Sequence, residues 1–130
     1  MPPDDRPLRG LIVEDSPVSR AVLEGYVARH SGVTLVASVA DPAGAASALD
    51  AHAVDLVFLD IELGDESGLA IARRLAPGVQ LVVTTAREQY AIDSVHFRAA
   101  DFLLKPIGYR RFAEAVDRAR RLAGLRPTTP

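Results

Sequence analysis

The sequence predicts an α/β fold: an open sheet of five parallel strands with helices packed on both faces. Three observations predict it. Five short aliphatic and β-branched runs recur along the chain, segments with helical spacing separate them, and several runs are apolar at consecutive positions. Strands covered on both faces have that last property. Strand–helix alternation implies right-handed crossovers and a parallel sheet between two helical layers.

The predicted strands are Leu11–Val13, Val33–Val39, Val54–Leu59, Val79–Val83 and Asp101–Leu104. The first helix begins at Ser16-Pro17, a capping serine followed by proline where a missing N–H costs nothing. Val18, Val22 and Tyr26 then recur at i, i+4 and i+8, which predicts a packing face. Asp41-Pro42 repeats the cap chemistry ahead of Ala45, Ala46 and Leu49. A third helix, Gly68 to Leu75, sets Ile71 and Leu75 on one side and closes at Pro77-Gly78. A weaker fourth runs from Arg87 to Phe97. The last, Arg110 to Ala123, carries Phe112, Ala115, Val116, Ala119, Leu122 and Ala123 as a stripe and stops at Gly124.

One domain accounts for the 130 residues, with 48% hydrophobic and 25% charged residues as in a globular protein with a core. The expected division is an N-terminal tail (1–7), a domain (8–123) and a C-terminal tail or start of an inter-domain linker (124–130). Five of the nine prolines fall in the terminal segments. A formal charge of −2 gives no field for nucleic acid or an anionic membrane. Without cysteine there is no disulfide, thiolate catalysis or cysteine-ligated metal. No apolar run reaches the roughly 18–20 residues of a membrane span, and the first residues have no apolar signal core. A cytoplasmic setting is expected. Fourteen of fifteen basic residues are arginine, which makes Lys105, the lone lysine, a position of interest.

Ligands of open parallel sheets bind beyond the carboxyl ends of the strands. The first strand ends in Glu14-Asp15, the third in Asp60, the fourth in Thr84-Thr85 and the fifth in Lys105-Pro106. With strand order 2-1-3-4-5, carboxylates, a hydroxyl and an ammonium converge on one pocket. Clustered carboxylates repel unless a cation sits among them. Few hard oxygen ligands in an open pocket suit Mg²⁺, and lysine with a hydroxyl suits a phosphoryl group. An aspartate can itself be the nucleophile, so the chemistry reads as phosphoryl transfer onto, or through, a carboxylate.

The motifs Leu11-Ile-Val-Glu-Asp, Leu56-Val-Phe-Leu-Asp-Ile, Thr84-Thr85-Ala86 and Asp101-Phe-Leu-Leu-Lys-Pro-Ile together resemble the receiver domain of bacterial two-component response regulators, over about residues 8 to 123. Thr85-Ala-Arg-Glu-Gln-Tyr-Ala and Leu103-Leu-Lys-Pro-Ile107 look most like receivers that precede LytTR-type DNA-binding domains. The resemblance implies a flavodoxin-like, doubly wound (βα)₅ fold and a phosphoryl acceptor, Asp60, served by a histidine kinase or a histidine phosphotransfer protein. It implies Mg²⁺ held by Asp15, Asp60, the backbone carbonyl of Glu62 and, through water, Glu14. Lys105 would pair with the phosphoryl oxygens, with a cis peptide to Pro106. Thr85 would move its hydroxyl onto the phosphoryl group while Phe102 rotates inward. Switching would reshape the face of the fourth helix, fifth strand and last helix, for homodimerisation or control of an output domain.

The sequence departs from the usual receiver pattern where Gly64-Asp65, followed by Glu66-Ser67-Gly68, replaces a proline-glycine pair after the acceptor. Glu62 and Arg87 should border the route of an attacking water and slow hydrolysis. Blander expectations stand beside these. His30, His52 and His96 are expected at the surface, the six arginines from 110 to 126 on a solvated helix face, and Tyr90, Phe97 and Tyr109 partly exposed. Two rivals share the residues: an adaptor that signals without phosphorylation, and a phosphohydrolase of the haloacid dehalogenase type. In the second, the nucleophile normally ends the first strand.

Overall fold

A computed structural model describes residues 5–62, 67–87 and 99–128 of the chain. Five parallel strands form one sheet in the order β2-β1-β3-β4-β5: β1 (Leu8–Val13), β2 (Val33–Val39), β3 (Leu56–Asp60), β4 (Gln80–Thr85) and β5 (Asp101–Leu104). Among the described residues the helices are α1 (Pro17–Arg29), α2 (Pro42–Ala51), α3 (Ser67–Arg73) and, as the last, α4 (Tyr109–Leu122). The expected helix from Arg87 to Phe97 lies outside the described residues beyond Arg87, as do Tyr90, His96, Phe97 and the Gly64–Glu66 stretch.

Alternation along the strands sorts the core into two halves. Leu8, Ile12, Leu56, Phe58, Val82 and Leu103 pack with Leu23 and Val27 of α1 and with Phe112, Ala115, Val116 and Ala119 of α4. Leu11, Val13, Val57, Leu59, Leu81 and Val83 pack with Ala45 and Ala48 of α2 and Ile71 of α3. Phe112 stacks on Phe58 with ring centroids 5.2 Å apart, tying α4 to the middle of the sheet. Helix starts follow the cap chemistry of the sequence. Ser16 Oγ accepts from the Ser19 amide at 3.3 Å, and Asp41 Oδ1 from the Gly44 amide at 2.7 Å.

The structure corrects three expectations. On α1 the buried pair is Leu23 and Val27; Val18 is 76% exposed and Val22 also faces solvent. The i, i+4 spacing was right but its phase was off, because two interleaved apolar rows compete on that helix. His30 is buried, not at the surface: its Nδ1 accepts the Gly32 amide at 2.9 Å, and burial pulls its pKa below the ordinary histidine value, Arg120 adding to this and Asp117 opposing it. Arg120 is 0% exposed rather than solvated. Strand ends also move toward polar residues. β3 runs to Asp60 and β4 to Thr85, so acceptor and hydroxyl stand in the sheet ladder itself, with Asp60 opposite Thr84.

Candidate functional site

The carboxyl ends of β1, β3, β4 and β5 meet in one place, and each delivers a polar residue there. Val13 lies opposite Leu59 and Asp60 opposite Thr84, while the Lys105 amide donates to the Thr85 carbonyl at 2.8 Å. Sheet register therefore lines up Glu14, Asp60, Thr85 and Lys105 along one edge. Glu14 and Asp60 are buried and Asp15 is exposed. Carboxylate oxygens of these three acids lie within 4.8 Å of one another.

The charges are arranged around Lys105. Its Nζ is 2.6 Å from Glu14 Oε1 and 3.2 Å from Asp60 Oδ2. The outer oxygens are held by backbone: Glu14 Oε2 accepts the Ser16 amide at 3.0 Å and Asp60 Oδ1 the Glu62 amide at 2.8 Å. Burial, then the hydrogen bond and charge of Asp60, push the Glu14 carboxyl well above the usual carboxylate range; Lys105 and the Ser16 amide counter only part of this. For Lys105, burial favours losing the proton, but the hydrogen bond to Glu14 and the charges of Asp60 and Glu14 outweigh it. The ammonium is held above its ordinary pKa. The Lys105–Pro106 peptide is cis.

Around this centre stand the remaining predicted residues. Thr85 is buried, and its Oγ1 accepts the Arg87 amide at 3.0 Å. Glu62 Oε2 accepts the Ala86 amide at 2.9 Å, and its Oε1 is 3.3 Å from Arg87 Nε, so these two side chains bridge the loops after β3 and β4. Phe102, on β5, is 37% exposed.

Three supports were not singled out from the sequence. Arg20 Nη1 donates to the Glu14 carbonyl at 3.0 Å, pinning the peptide that carries both acids of the first strand end. Arg20 lies four residues after the Ser16 cap, and that one-turn spacing was its available signal. Tyr26 Oη donates to the Ile107 carbonyl at 2.7 Å and steadies the turn after Pro106. A Cβ at Gly68 would lie 3.1 Å from the Asp60 carbonyl oxygen and 3.1 Å from Ile61 Cα, so glycine lets α3 start hard against the acceptor's backbone.

The donor set fits Mg²⁺. It is all hard oxygen, three carboxylates share the single ammonium of Lys105, and one of them stays open to water, as an ion that keeps several waters requires. Glu14, Asp15 and Asp60 would hold it.

Comparison with known proteins agrees with this geometry. Residues 11–117 match the family described as response regulator receiver domain. Sensory transduction protein LytT of Enterococcus faecalis is 36% identical over 117 residues, covering 88% of this chain and 48% of that protein. The chain thus spans about half the length of the curated relatives it matches. The response regulatory domain of mrkE from Klebsiella pneumoniae superposes with a TM-score of 0.79 at 25% identity, covering 89% of this chain and 98% of that one. CheY6 of R. sphaeroides, solved with the P1 domain of CheA3, is similar in fold: TM-score 0.72 at 22% identity, covering 90% and 96%. Five strands in the order 2-1-3-4-5 with an acidic edge, and a family match over most of the chain, lead to one conclusion: this chain belongs to the receiver domains of response regulators.

Proposed function

We propose that Asp60 accepts a phosphoryl group from the phosphohistidine of a sensor histidine kinase or a histidine phosphotransfer protein, and that the adduct works as a switch. A carboxylate oxygen of Asp60 attacks phosphorus, the P–N bond breaks, and the departing imidazole keeps the electron pair and takes up a proton. The product is an acyl phosphate on Asp60. The observation that carries this reading is the Lys105 ammonium set between Glu14 and Asp60. It supplies a fixed positive charge where phosphoryl oxygens arrive, and costs no reorganisation at the moment of reaction.

In this reading Asp15, Asp60, the Glu62 carbonyl and, through water, Glu14 hold Mg²⁺, which would neutralise charge on the transferring group. Thr85 exchanges its bond with the Arg87 amide for one to the phosphoryl group, and Phe102 turns inward behind it. The reshaped face of β5, α4 and the segment before β5 is then read by a second copy of the domain or by an output domain, DNA-binding by analogy with LytT-like regulators. Glu62 and Arg87 shield the acyl phosphate from water. The domain catalyses only its own phosphorylation and dephosphorylation, in the cytoplasm, without binding nucleic acid or membrane itself. Residues 124–130 are read as a C-terminal tail or as the start of an inter-domain linker.

The test is labelling of the purified protein with acetyl phosphate and Mg²⁺ beside Asp60→Asn. Labelling in the wild type, lost in the variant and blocked by a chelator, is the expected outcome. A folded wild type that takes no label with Mg²⁺ present would favour the phosphorylation-independent adaptor.

A further inference from the structure

At the amino edge of the sheet, opposite the acidic site, a fully buried guanidinium gathers three segments of chain. Arg120 Nε donates to the Arg126 carbonyl at 2.6 Å; its Nη1 donates to the Arg6 carbonyl at 2.7 Å and the Gly32 carbonyl at 2.9 Å. Its Nη2 is buried with no hydrogen-bond partner among the described residues. A buried cation is costly unless its donors are bound, and here backbone carbonyls do that work in place of a carboxylate.

We propose that this edge is a docking surface whose occupant is the chain's own segment 125–128, with Arg120 as the clasp that locks it down. Four further contacts carry the inference. Leu125 is buried, and its amide donates to the Arg120 carbonyl at 2.8 Å. Asp117 Oδ1 accepts the Thr128 amide at 3.2 Å and the Thr128 hydroxyl at 3.1 Å. Thr128 Oγ1 sits 3.4 Å from His30 Nε2. Arg126 Nε reaches Asp5 Oδ1 at 3.4 Å. The surface is shaped for its occupant: a Cβ at Gly32 would lie 2.9 Å from Arg120 Cδ, His30 Cε1 and Thr128 Oγ1 alike.

Clasp and segment stabilise each other. Lifting 125–128 strips Nε of its acceptor and opens a buried charge, while removing the guanidinium takes a donor from the Arg6, Gly32 and Arg126 carbonyls, of which Gly32 keeps the Leu8 amide. The segment after α4 therefore travels with α4, and a shift of that helix reaches residue 128 undamped. This coupling is independent of whether Asp60 is phosphorylated.

Native-state amide exchange on the full chain tests it. The Leu125 and Thr128 amides should be protected in the wild type, and in Arg120→Met should exchange at least about tenfold faster. The buried-strand amides of Val57 and Val82 should change much less. Asp117→Ala, which removes the Thr128 bonds and the 3.7 Å contact with His30 but leaves the Arg120 guanidinium in place, should release Thr128 in the same way and carries the test if Arg120→Met does not fold. Wild-type amides at 125 and 128 exchanging as fast as unstructured chain would overturn the proposal. So would strap amides unchanged in the variants, or accelerated no more than Val57 and Val82.

Discussion

Lys105 and Glu14 form the tightest charge contact of the acidic edge, 2.6 Å from Nζ to Oε1, with Glu14 fully buried and the same ammonium 3.2 Å from Asp60. One cation thus offsets two buried carboxylates. Lys105→Met should lower stability by about 2 kcal/mol in urea unfolding, less than the roughly 3–5 kcal/mol for a fully buried pair, because Lys105 is partly exposed and Glu14 can take up a proton. Acetyl phosphate labelling of the folded variant should fall at least tenfold, by about 1.4 kcal/mol of lost transition-state stabilisation.

Mg²⁺ should stabilise the folded chain in proportion to the logarithm of its concentration, reaching about 2.7 kcal/mol at a hundred times its dissociation constant. Asp15→Asn should flatten that dependence while leaving the metal-free stability close to wild type, since Asp15 is exposed. Thermal melts across a Mg²⁺ series, with equal ionic strength held by Na⁺, check both statements.

The Glu62–Arg87 bridge spans the loops after β3 and β4 at 3.3 Å. If it limits water access to the acyl phosphate, the double variant Glu62→Ala, Arg87→Ala should lose the phosphoryl group faster, roughly 2- to 10-fold for a barrier change of about 0.4–1.4 kcal/mol. Decay of the label after removing the donor measures it; an unchanged or longer lifetime would defeat the shielding role.

His30 gives the fold a pH dependence near neutrality. Its folded pKa lies below the unfolded value of about 6.5. The stability it contributes is thus complete above that pH and is lost as pH falls through it toward the folded value. The slope is at most about 1.4 kcal/mol per pH unit. Glu14 acts with the opposite sign, because its pKa is raised and its contribution fades as pH rises. The quantity to read is therefore the wild-type stability minus that of His30→Gln, by urea unfolding from pH 7.5 to 5.5. The difference should shrink as pH falls.

Much of this was legible before any coordinates. Cap signals at Ser16-Pro17 and Asp41-Pro42 placed two helix starts, and the apolar runs placed all five strands. Strand-end chemistry then put Glu14, Asp15, Asp60, Thr85 and Lys105 at one edge, where register brings them together. Periodicity failed where one helix carries two apolar rows, as on α1, and where a charged side chain is buried by carbonyls, as with Arg120. Arg120 stands four residues after Val116 and eight after Phe112, on the buried side of α4, a spacing that Arg118 and Arg121 do not share; what no local pattern shows is its acceptors, since Arg6 and Gly32 are remote in sequence. Gly68 and Arg20 were hidden because each acts on backbone of the preceding loop, Gly68 beside Asp60 and Ile61 and Arg20 at the Glu14 carbonyl, and backbone carries no side-chain pattern.

The Asp5–Arg126 ion pair at 3.4 Å means that the polypeptide enters and leaves at nearly the same point, on the face away from the acids. Such a unit behaves like a plug-in module. It can be spliced into a surface loop of a host protein, or circularly permuted by joining 5 to 128 with a few residues, without moving Asp60. Reporters attached at Asp5 and Arg126 would sit side by side, far from the chemistry they monitor.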